Sequence, residues 1–110
     1  MMTVKTIDYK NLKVIEVEGE IDMYTSPKLR KELMAQIRRK TTPLIVDLSR
    51  VTYIDSSGIA TFVEGLKDML SYGGKLKLVS LAERILEIFN FARLDKVFEI
   101  YPSLDDAINS

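Results

Sequence analysis

A βαβ pattern in the middle of the chain constrains the fold more than any other feature. Residues 44–48 form a near-continuous apolar run, which is typical of a strand covered on both faces of a sheet. After Asp55-Ser56-Ser57-Gly58, apolar side chains recur at helical spacing: Ile59, Phe62, Val63, Leu66, Met69 and Leu70. Gly73-Gly74 ends this helix, and residues 75–79 alternate as a second strand. Such a unit is parallel and right-handed, so the sequence predicts an α/β fold.

The segments before this unit extend it into a mixed sheet. Residues 3–8 and 12–18 are predicted as two strands of a hairpin with a short link at residues 9–11. Ser26-Pro27 begins a helix, with Ser26 as its N-cap, and Leu29, Leu33 and Ile37 form its buried stripe.

The segments after the unit add a third helix, a short strand and a last helix. Residues 80–83 (Ser-Leu-Ala-Glu) match a capping box that opens the third helix. Residues 97–101 are predicted as a short strand, and Ser103 caps a helix over residues 104–108. We therefore expect one α/β domain over residues 1–110, with a small mixed sheet of four to five strands and about four helices.

Composition excludes several classes of function. The 16 Lys and Arg residues balance 16 Asp and Glu residues, so no electrostatic attraction to nucleic acid or to a membrane surface is expected. The chain has no Cys and no His, which removes the usual general base and the usual soft metal ligands. No apolar run approaches the roughly 18 residues that cross a bilayer. We expect a cytoplasmic protein that is not an enzyme, with no catalytic residues, no metal and no cofactor.

Two loops are expected beyond the carboxyl ends of the strands, at residues 19–25 and 52–58. Ser56 or Ser57 is predicted at the N-cap of helix 59–70, with Gly58 leaving the backbone uncovered. A phosphate on such a hydroxyl would meet unpaired N–H groups and the positive end of the helix dipole. The alternative is that the serine only caps the helix.

The first loop leaves its own alternatives open. Asp22 is explained by an Asx turn, in which its carboxylate accepts hydrogen bonds from the backbone. Met23 and Tyr24 are apolar side chains in a loop, and they either cover the core or form an exposed contact surface. We favour the contact surface.

Four motifs together resemble the anti-sigma-factor antagonist family of STAS domains. They are Gly19-Glu20-Ile21-Asp22 with Thr25-Ser26-Pro27, then Asp55-Ser56-Ser57-Gly58-Ile59, then Gly73-Gly74-Lys75-Leu76, and finally Leu94-Asp95-Lys96-Val97-Phe98. The sequence departs from the family pattern at Ile59-Ala60 and at Ala92-Arg93, where the family commonly has a Gly before the Leu. Because Arg tolerates a positive φ poorly, the sequence does not decide whether the third helix ends in the left-handed conformation that a Gly would adopt.

The resemblance implies a partner-switching function. In such families the unphosphorylated antagonist binds an anti-sigma factor, itself a serine kinase of the GHKL type, and so releases a sigma factor. The kinase phosphorylates the first serine of the motif, which is Ser56 here, and a PP2C-type phosphatase resets the cycle. The partner-binding residues expected on this basis surround Ser56 and lie in both loops: Asp22, Met23, Tyr24, Thr25, Asp55, Ser57, Gly58 and Ile59.

The alternative is a constitutive STAS binding module. Such a module serves in a stressosome scaffold or as the soluble component of a lipid or anion transporter, and its serine is never modified. The sequence does not distinguish Ser56 from Ser57 as the modified residue, and it does not determine the oligomeric state.

Overall fold

The computed structural model describes residues 1–110. The chain folds into a five-stranded mixed sheet with four helices. The elements are β1 Met2–Tyr9, β2 Leu12–Ile21, α1 Ser26–Arg38, β3 Leu44–Ile54, α2 Ser56–Leu70, β4 Leu76–Val79, α3 Glu83–Phe91, β5 Glu99–Tyr101 and α4 Leu104–Ile108. Strand order is β1-β2-β3-β4-β5, with β1 antiparallel to β2 and all other pairs parallel. The predicted α/β class, element order and mixed sheet are confirmed.

The β1–β2 hairpin turns through two residues, Lys10 and Asn11. Both have positive φ, at 51° and 66°. A two-residue loop with two positive φ values matches the right-handed twist of the strands that it joins. The predicted hairpin is therefore confirmed, and its pairing runs from Met2–Gly19 to Tyr9–Leu12.

Strand β3 is longer than the predicted residues 44–48 and ends only at Ile54. Its pairing with β2 shifts register twice, between Glu16 and Glu18 and between Gly19 and Glu20. The extra residues let Leu48, Val51 and Ile54 face the core at a spacing of three instead of two. The alternation expected of a strand is absent after Leu48 for this reason, and the predicted loop 52–58 shortens to the residue between β3 and α2.

Two clusters of buried residues lie on opposite faces of the sheet. Helices α1, α2 and α3 cover one face and contribute Leu29, Leu33, Phe62, Met69, Ile85 and Phe89 to the larger cluster of 18 residues. Helix α4 covers part of the other face, where Ala107 packs with Val14, Ile45 and Val79. The predicted stripe of α2 is only partly right, because Phe62 and Met69 are buried whereas Leu70 is 62% exposed.

Several helix caps differ from the prediction. Thr25 precedes α1, and Ser26 is instead the first helical residue and is buried. Ala82 precedes α3 and makes no capping hydrogen bond, so the capping box at residues 80–83 is wrong. Ser80 has a positive φ of 60° and its hydroxyl donates to the carbonyl of Pro102. Ser103 does cap α4 by accepting from the N–H of Asp106, as expected.

Candidate partner-binding site

Asp55 is the N-cap of α2, a role that the sequence prediction gave to Ser56 or Ser57. It directly follows β3 in an extended conformation, and its Oδ1 accepts from the N–H of Ser57 at 2.9 Å and of Gly58 at 3.2 Å. Its carbonyl accepts from the N–H of Ile59 at 3.0 Å. An Asp at this position satisfies N–H groups that have no partner within the helix. Of the N–H groups expected to be unpaired at this helix start, those of Ser57, Gly58 and Ile59 therefore already have partners.

Ser56 and Ser57 differ in what their hydroxyls do. The hydroxyl of Ser57 donates to Oδ1 of Asp55 at 2.5 Å, and its side chain is half-buried. The Ser56 side chain is exposed and takes part in none of the hydrogen bonds around Asp55. A modifying enzyme thus meets a free hydroxyl at Ser56 and an engaged one at Ser57.

Gly58 is buried, so the expectation that it uncovers the backbone is wrong. A Cβ at this residue would lie 2.6 Å from Cγ2 of Ile21 and 2.7 Å from Cγ1 of Ile54. The absence of a side chain lets the first turn of α2 pack directly on the ends of β2 and β3. The close packing of Gly58 on Ile21 and Ile54 therefore fixes the position of Ser56, and Gly58 itself presents no exposed surface.

Asp22 forms the Asx turn that the sequence indicated. Its Oδ1 accepts from the N–H of Tyr24 at 2.9 Å and of Thr25 at 3.0 Å. The hydroxyl of Thr25 donates to the carbonyl of Glu20 at 2.8 Å and accepts from the N–H of Asp22 at 2.8 Å. This closed turn holds Met23 and Tyr24 outward, where they are 66% and 85% exposed. They form an exposed surface rather than cover for the core.

The two loops are joined at their bases. The N–H of Asp55 donates to the carbonyl of Ile21 at 3.1 Å, which places the Asp22 turn directly beside the start of α2. The pKa of Asp55 is lowered chiefly by the hydrogen bond from the Ser57 hydroxyl; partial desolvation opposes this lowering, and hydrogen bonds from the N–H groups of Gly58 and Ser57 add to it. The hydrogen bond from Asp55 to Ile21 is therefore the contact that joins the two loops.

A groove between α2 and α3 begins at Ser56, and the sequence analysis did not anticipate it. It has a volume of about 710 Å³. Ile59 and Val63 line one side, and Ile88 and Ala92 line the other. Helical spacing predicts Ile59 and Val63 as part of the buried stripe of α2, whereas both are only partly buried at the edge of the core.

None of the four helices combines the length and the apolar character that a membrane span requires. No cluster of three or more carboxylate residues is placed to bind a metal ion. The candidate site thus consists of two loops, one free hydroxyl and an adjoining groove.

A family model described as the STAS domain matches residues 3–107. The chain belongs to the STAS domain family. Among curated proteins, the STAS domain is 35% identical over 86 residues to an anti-sigma-B factor antagonist of Bacillus subtilis, which covers 78% of each chain. An anti-sigma-B factor antagonist of Listeria monocytogenes is also 35% identical over 86 residues, which cover 78% of this chain and 75% of the relative.

Solved structures of similar proteins share the fold of this STAS domain. An anti-sigma factor antagonist from Mycobacterium paratuberculosis has a TM-score of 0.90 and 29% identity, covering 99% of this chain and 92% of that one. The unphosphorylated form of the anti-sigma factor antagonist SpoIIAA has a TM-score of 0.74 and 18% identity, covering 99% and 96% of the two chains. At 18% identity the second likeness shows the fold alone.

Proposed function

We propose that this STAS domain is an anti-sigma factor antagonist whose unphosphorylated form binds an anti-sigma factor and so releases a sigma factor. The proposal is supported by family membership and by relatives named as antagonists of an anti-sigma factor. The function is binding and needs no catalytic group. The binding surface that we propose comprises the exposed parts of the two loops, chiefly Met23, Tyr24, Ser56 and Ile59, held in place by Asp22, Thr25, Asp55, Ser57 and Gly58.

The free hydroxyl of Ser56 is the observation on which the proposed switch depends. A phosphate there adds about 1.5 to 2 negative charges. The N–H groups of Ser57 and Gly58 already donate to Asp55, so the phosphate must compete with a carboxylate for them. The phosphate would also be repelled by the carboxylate of Asp55 and by that of Asp22 in the adjoining loop. Phosphorylation therefore changes the charge of the binding surface without requiring a rearrangement of the fold.

The proposed cycle needs two further partners and a place to act. We infer that the anti-sigma factor is a GHKL-type serine kinase that phosphorylates Ser56, and that a PP2C-type phosphatase removes the phosphate. Because a sigma factor acts on cytoplasmic RNA polymerase, we infer that the STAS domain acts in the cytoplasm. The resemblance of residues 55–59 to the family motif supports these inferences.

Phosphosite mapping by mass spectrometry tests this function in cells that naturally express the protein. The wild-type chain is compared with Ser56→Ala and with the matched control Ser57→Ala. We expect phosphate on Ser56 in the wild type and in the control, and none in Ser56→Ala. A chain that stays unmodified across growth and stress conditions would instead support a constitutive binding module, of the stressosome or transporter kind.

A further inference from the structure

Helix α1 carries a concentration of positive charge that the net charge of the chain does not reveal. Residues 26–40 contain six of the 16 basic residues and only one of the 16 acidic residues. The acidic one, Glu32, accepts a hydrogen bond from the hydroxyl of Thr6 in β1 at 3.0 Å. The rest of the chain is correspondingly acidic. A balanced total therefore excludes a uniformly basic protein, but it does not exclude a basic surface.

Four basic side chains lie along the solvent-facing side of α1 and at its C-cap. The buried side of this helix is defined by Leu29 and Leu33, which pack in the core. At 3.6 residues per turn, Lys31 and Arg38 lie roughly opposite to Leu29. The basic stripe, as we call it, consists of Lys28, Lys31, Arg38 and Arg39. All four side chains are exposed, and none forms a salt bridge within the chain. The stripe is about 16 Å long at a rise of ~1.5 Å per residue.

The carboxylates of the neighbouring helix act on a different flank of α1. Glu64 of α2 accepts hydrogen bonds from Nε and from the second terminal nitrogen of Arg30, at 2.9 Å and 2.8 Å. Asp68 of α2 also attracts Arg30. Arg30 thus faces α2, whereas the basic stripe follows the outer side of α1. Glu32 is the one carboxylate close to the stripe, so most of the positive charge is uncompensated within the chain.

Helix stability does not account for the positive charge at the beginning of α1. The helix dipole favours acidic residues in the first turn and basic residues in the last turn. Arg38 fits this preference, but the first turn has no acidic residue. Lys28 and Lys31 instead lie in the first two turns, where the dipole disfavours them, and at a spacing of three residues they repel each other. An anionic partner outside the chain would offset both effects.

The residue types of α1 favour an anionic lipid surface over nucleic acid. Nucleic-acid-binding surfaces add side chains that hydrogen-bond to base edges or stack on bases. Residues 26–40 contain no aromatic residue, and their one amide side chain, that of Gln36, is buried and accepts a hydrogen bond from Thr41. Lys and Arg side chains on one face of a helix are sufficient to attract anionic headgroups.

We propose that α1 docks this STAS domain on a membrane surface rich in anionic phospholipid, by electrostatic contact of the basic stripe with the lipid headgroups. None of the large exposed apolar side chains lies on α1, so the contact is superficial and reversible. The proposal goes beyond the proposed function, because neither Ser56 nor the Asp22 turn takes part in it. It also revises the expectation of no attraction to a membrane, which depended on the net charge alone.

Co-sedimentation of the purified chain with lipid vesicles tests this proposal. Vesicles of phosphatidylcholine with about 30% phosphatidylglycerol are compared with vesicles of phosphatidylcholine alone, at an ionic strength of about 0.1 M, where charges interact over ~10 Å. We expect binding to the anionic vesicles only. This binding should be lost at about 1 M salt, where the range falls to ~3 Å.

Two pairs of substitutions assign the binding to the basic stripe. Lys31→Gln combined with Arg38→Gln should lower the affinity for anionic vesicles by about tenfold or more, because each basic side chain near the surface contributes to the attraction. The matched control combines Lys75→Gln with Lys96→Gln. It makes the same change in net charge at two exposed residues outside α1, and it should change the affinity by less than about twofold. Circular dichroism verifies that both variants are folded.

Three outcomes would overturn the proposal. They are no binding to the anionic vesicles, equal binding to neutral and anionic vesicles, and equal losses for the two pairs of substitutions. Duplex DNA of random sequence serves as a competing polyanion. If the DNA bound more tightly than the anionic vesicles and showed the same loss with Lys31→Gln and Arg38→Gln, nucleic acid would replace the membrane as the partner. None of these results depends on phosphorylation of Ser56, so the proposed function is tested separately.

Discussion

Asp55 links the two loops of the site through its backbone and caps α2 through its carboxylate. Its N–H donates to the carbonyl of Ile21, and its carboxylate accepts from the hydroxyl and the N–H of Ser57 and from the N–H of Gly58. These contacts favour its ionised form and lower its pKa. A phosphate on Ser56 would act on a site that already holds one negative charge. At the scale of residues, the Ser56 phosphate and the Asp55 carboxylate would therefore compete for the same N–H groups at the start of α2.

Acid titration tests the role of the Asp55 charge. Its folded pKa lies below the unfolded value of about 3.9, so its ionised form stabilises the fold above that pH. This contribution is lost as the pH falls through the folded pKa. We expect Asp55→Asn, which keeps a capping oxygen, to lower the melting temperature at neutral pH and to converge with the wild type in acid. A difference that stays constant with pH would contradict this account.

The two serines are distinguished by an NMR titration of the Asp55 carboxyl. Because the Ser57 hydroxyl is the largest cause of the lowered pKa, Ser57→Ala should raise the pKa of Asp55 toward its usual range. Ser56→Ala should leave it unchanged, since Ser56 does not contact the carboxylate. An equal response to both substitutions would show that the hydroxyl of Ser56 is engaged as well.

At the scale of elements, α2 is fixed at its start by a close approach to the sheet. Gly58 touches Ile21 and Ile54, whereas Gly65 in the same helix has Cδ1 of Leu33 at 3.6 Å from an added Cβ. The two glycines therefore have opposite structural roles. One permits a contact that no side chain allows, and the other leaves room for a methyl group.

Replacing each glycine with alanine separates these roles. Gly58→Ala should cost about 1 to 3 kcal/mol of unfolding free energy, because its methyl group must displace two core side chains. Gly65→Ala should add about 0.5 to 1 kcal/mol, because alanine is the better helix former and the contact is ordinary. Chemical denaturation measures both. Equal effects of the two substitutions would show that the contact at Gly58 is not tight.

Arg93 resolves the question left open at the end of α3. It adopts the left-handed conformation, with φ 61° and ψ 22°, at the position where the family commonly has Gly. An L-residue there costs about 1 to 2 kcal/mol, which Gly avoids at some cost in unfolded-state entropy. Arg93→Gly should therefore stabilise the fold by about 0.5 kcal/mol. The control Ala92→Gly, at φ −83°, should destabilise it. A loss of stability in Arg93→Gly would contradict the assigned strain.

Periodicity and turn chemistry were sufficient to predict the elements and their order, but not their ends. The hairpin, the βαβ unit and the Ser103 cap each depend on local sequence, and each was predicted. The predicted third strand ends too early because the bulges of β3 are set by its pairing with β2, which is a long-range contact. The sequence predicts a serine as the cap of α2 because it predicts that β3 ends at residue 48 and that a loop follows. Once β3 reaches Ile54, Asp55 alone is left between strand and helix.

The candidate site was likewise predicted only where it depends on local sequence. The Asx turn of Asp22 is local and was anticipated, as was the serine pair at the start of α2. The burial of Gly58 depends on where β2 and β3 end, and the groove depends on how α3 packs beside α2. Neither packing relation has a signature within a short window of sequence.

At the scale of the whole molecule, the switch surface lies at the carboxyl ends of β2 and β3, two interior strands of the sheet. The loop at residues 22–25 and the start of α2 at residues 55–58 follow adjacent parallel strands, and their bases are joined by the hydrogen bond from Asp55 to Ile21. The core beneath is closed by Ile21, Ile54 and Phe62, which are all buried. A charge change at Ser56 therefore acts on the surface and leaves the core intact.

Backbone amide shifts test whether the change stays local. We expect stoichiometric phosphorylation of Ser56 to move the amide resonances of residues 22–25 and 55–60, while those of α1, α4 and β1 stay in place. The unmodifiable Ser56→Ala, treated in the same way, is the control. Shifts spread through α1 or α4 would indicate a global rearrangement and contradict a local electrostatic switch.

The affinity of the chain for its anti-sigma factor tests the central claim most directly. Calorimetric titration compares the unphosphorylated wild type, the Ser56-phosphorylated wild type and the Ser57→Ala control with the anti-sigma factor from the same cells. We expect tight binding by the unphosphorylated chain and the control, and a loss of about tenfold or more on phosphorylation of Ser56. Equal affinity for the phosphorylated and unphosphorylated chains would contradict the switch and identify a constitutive binding module.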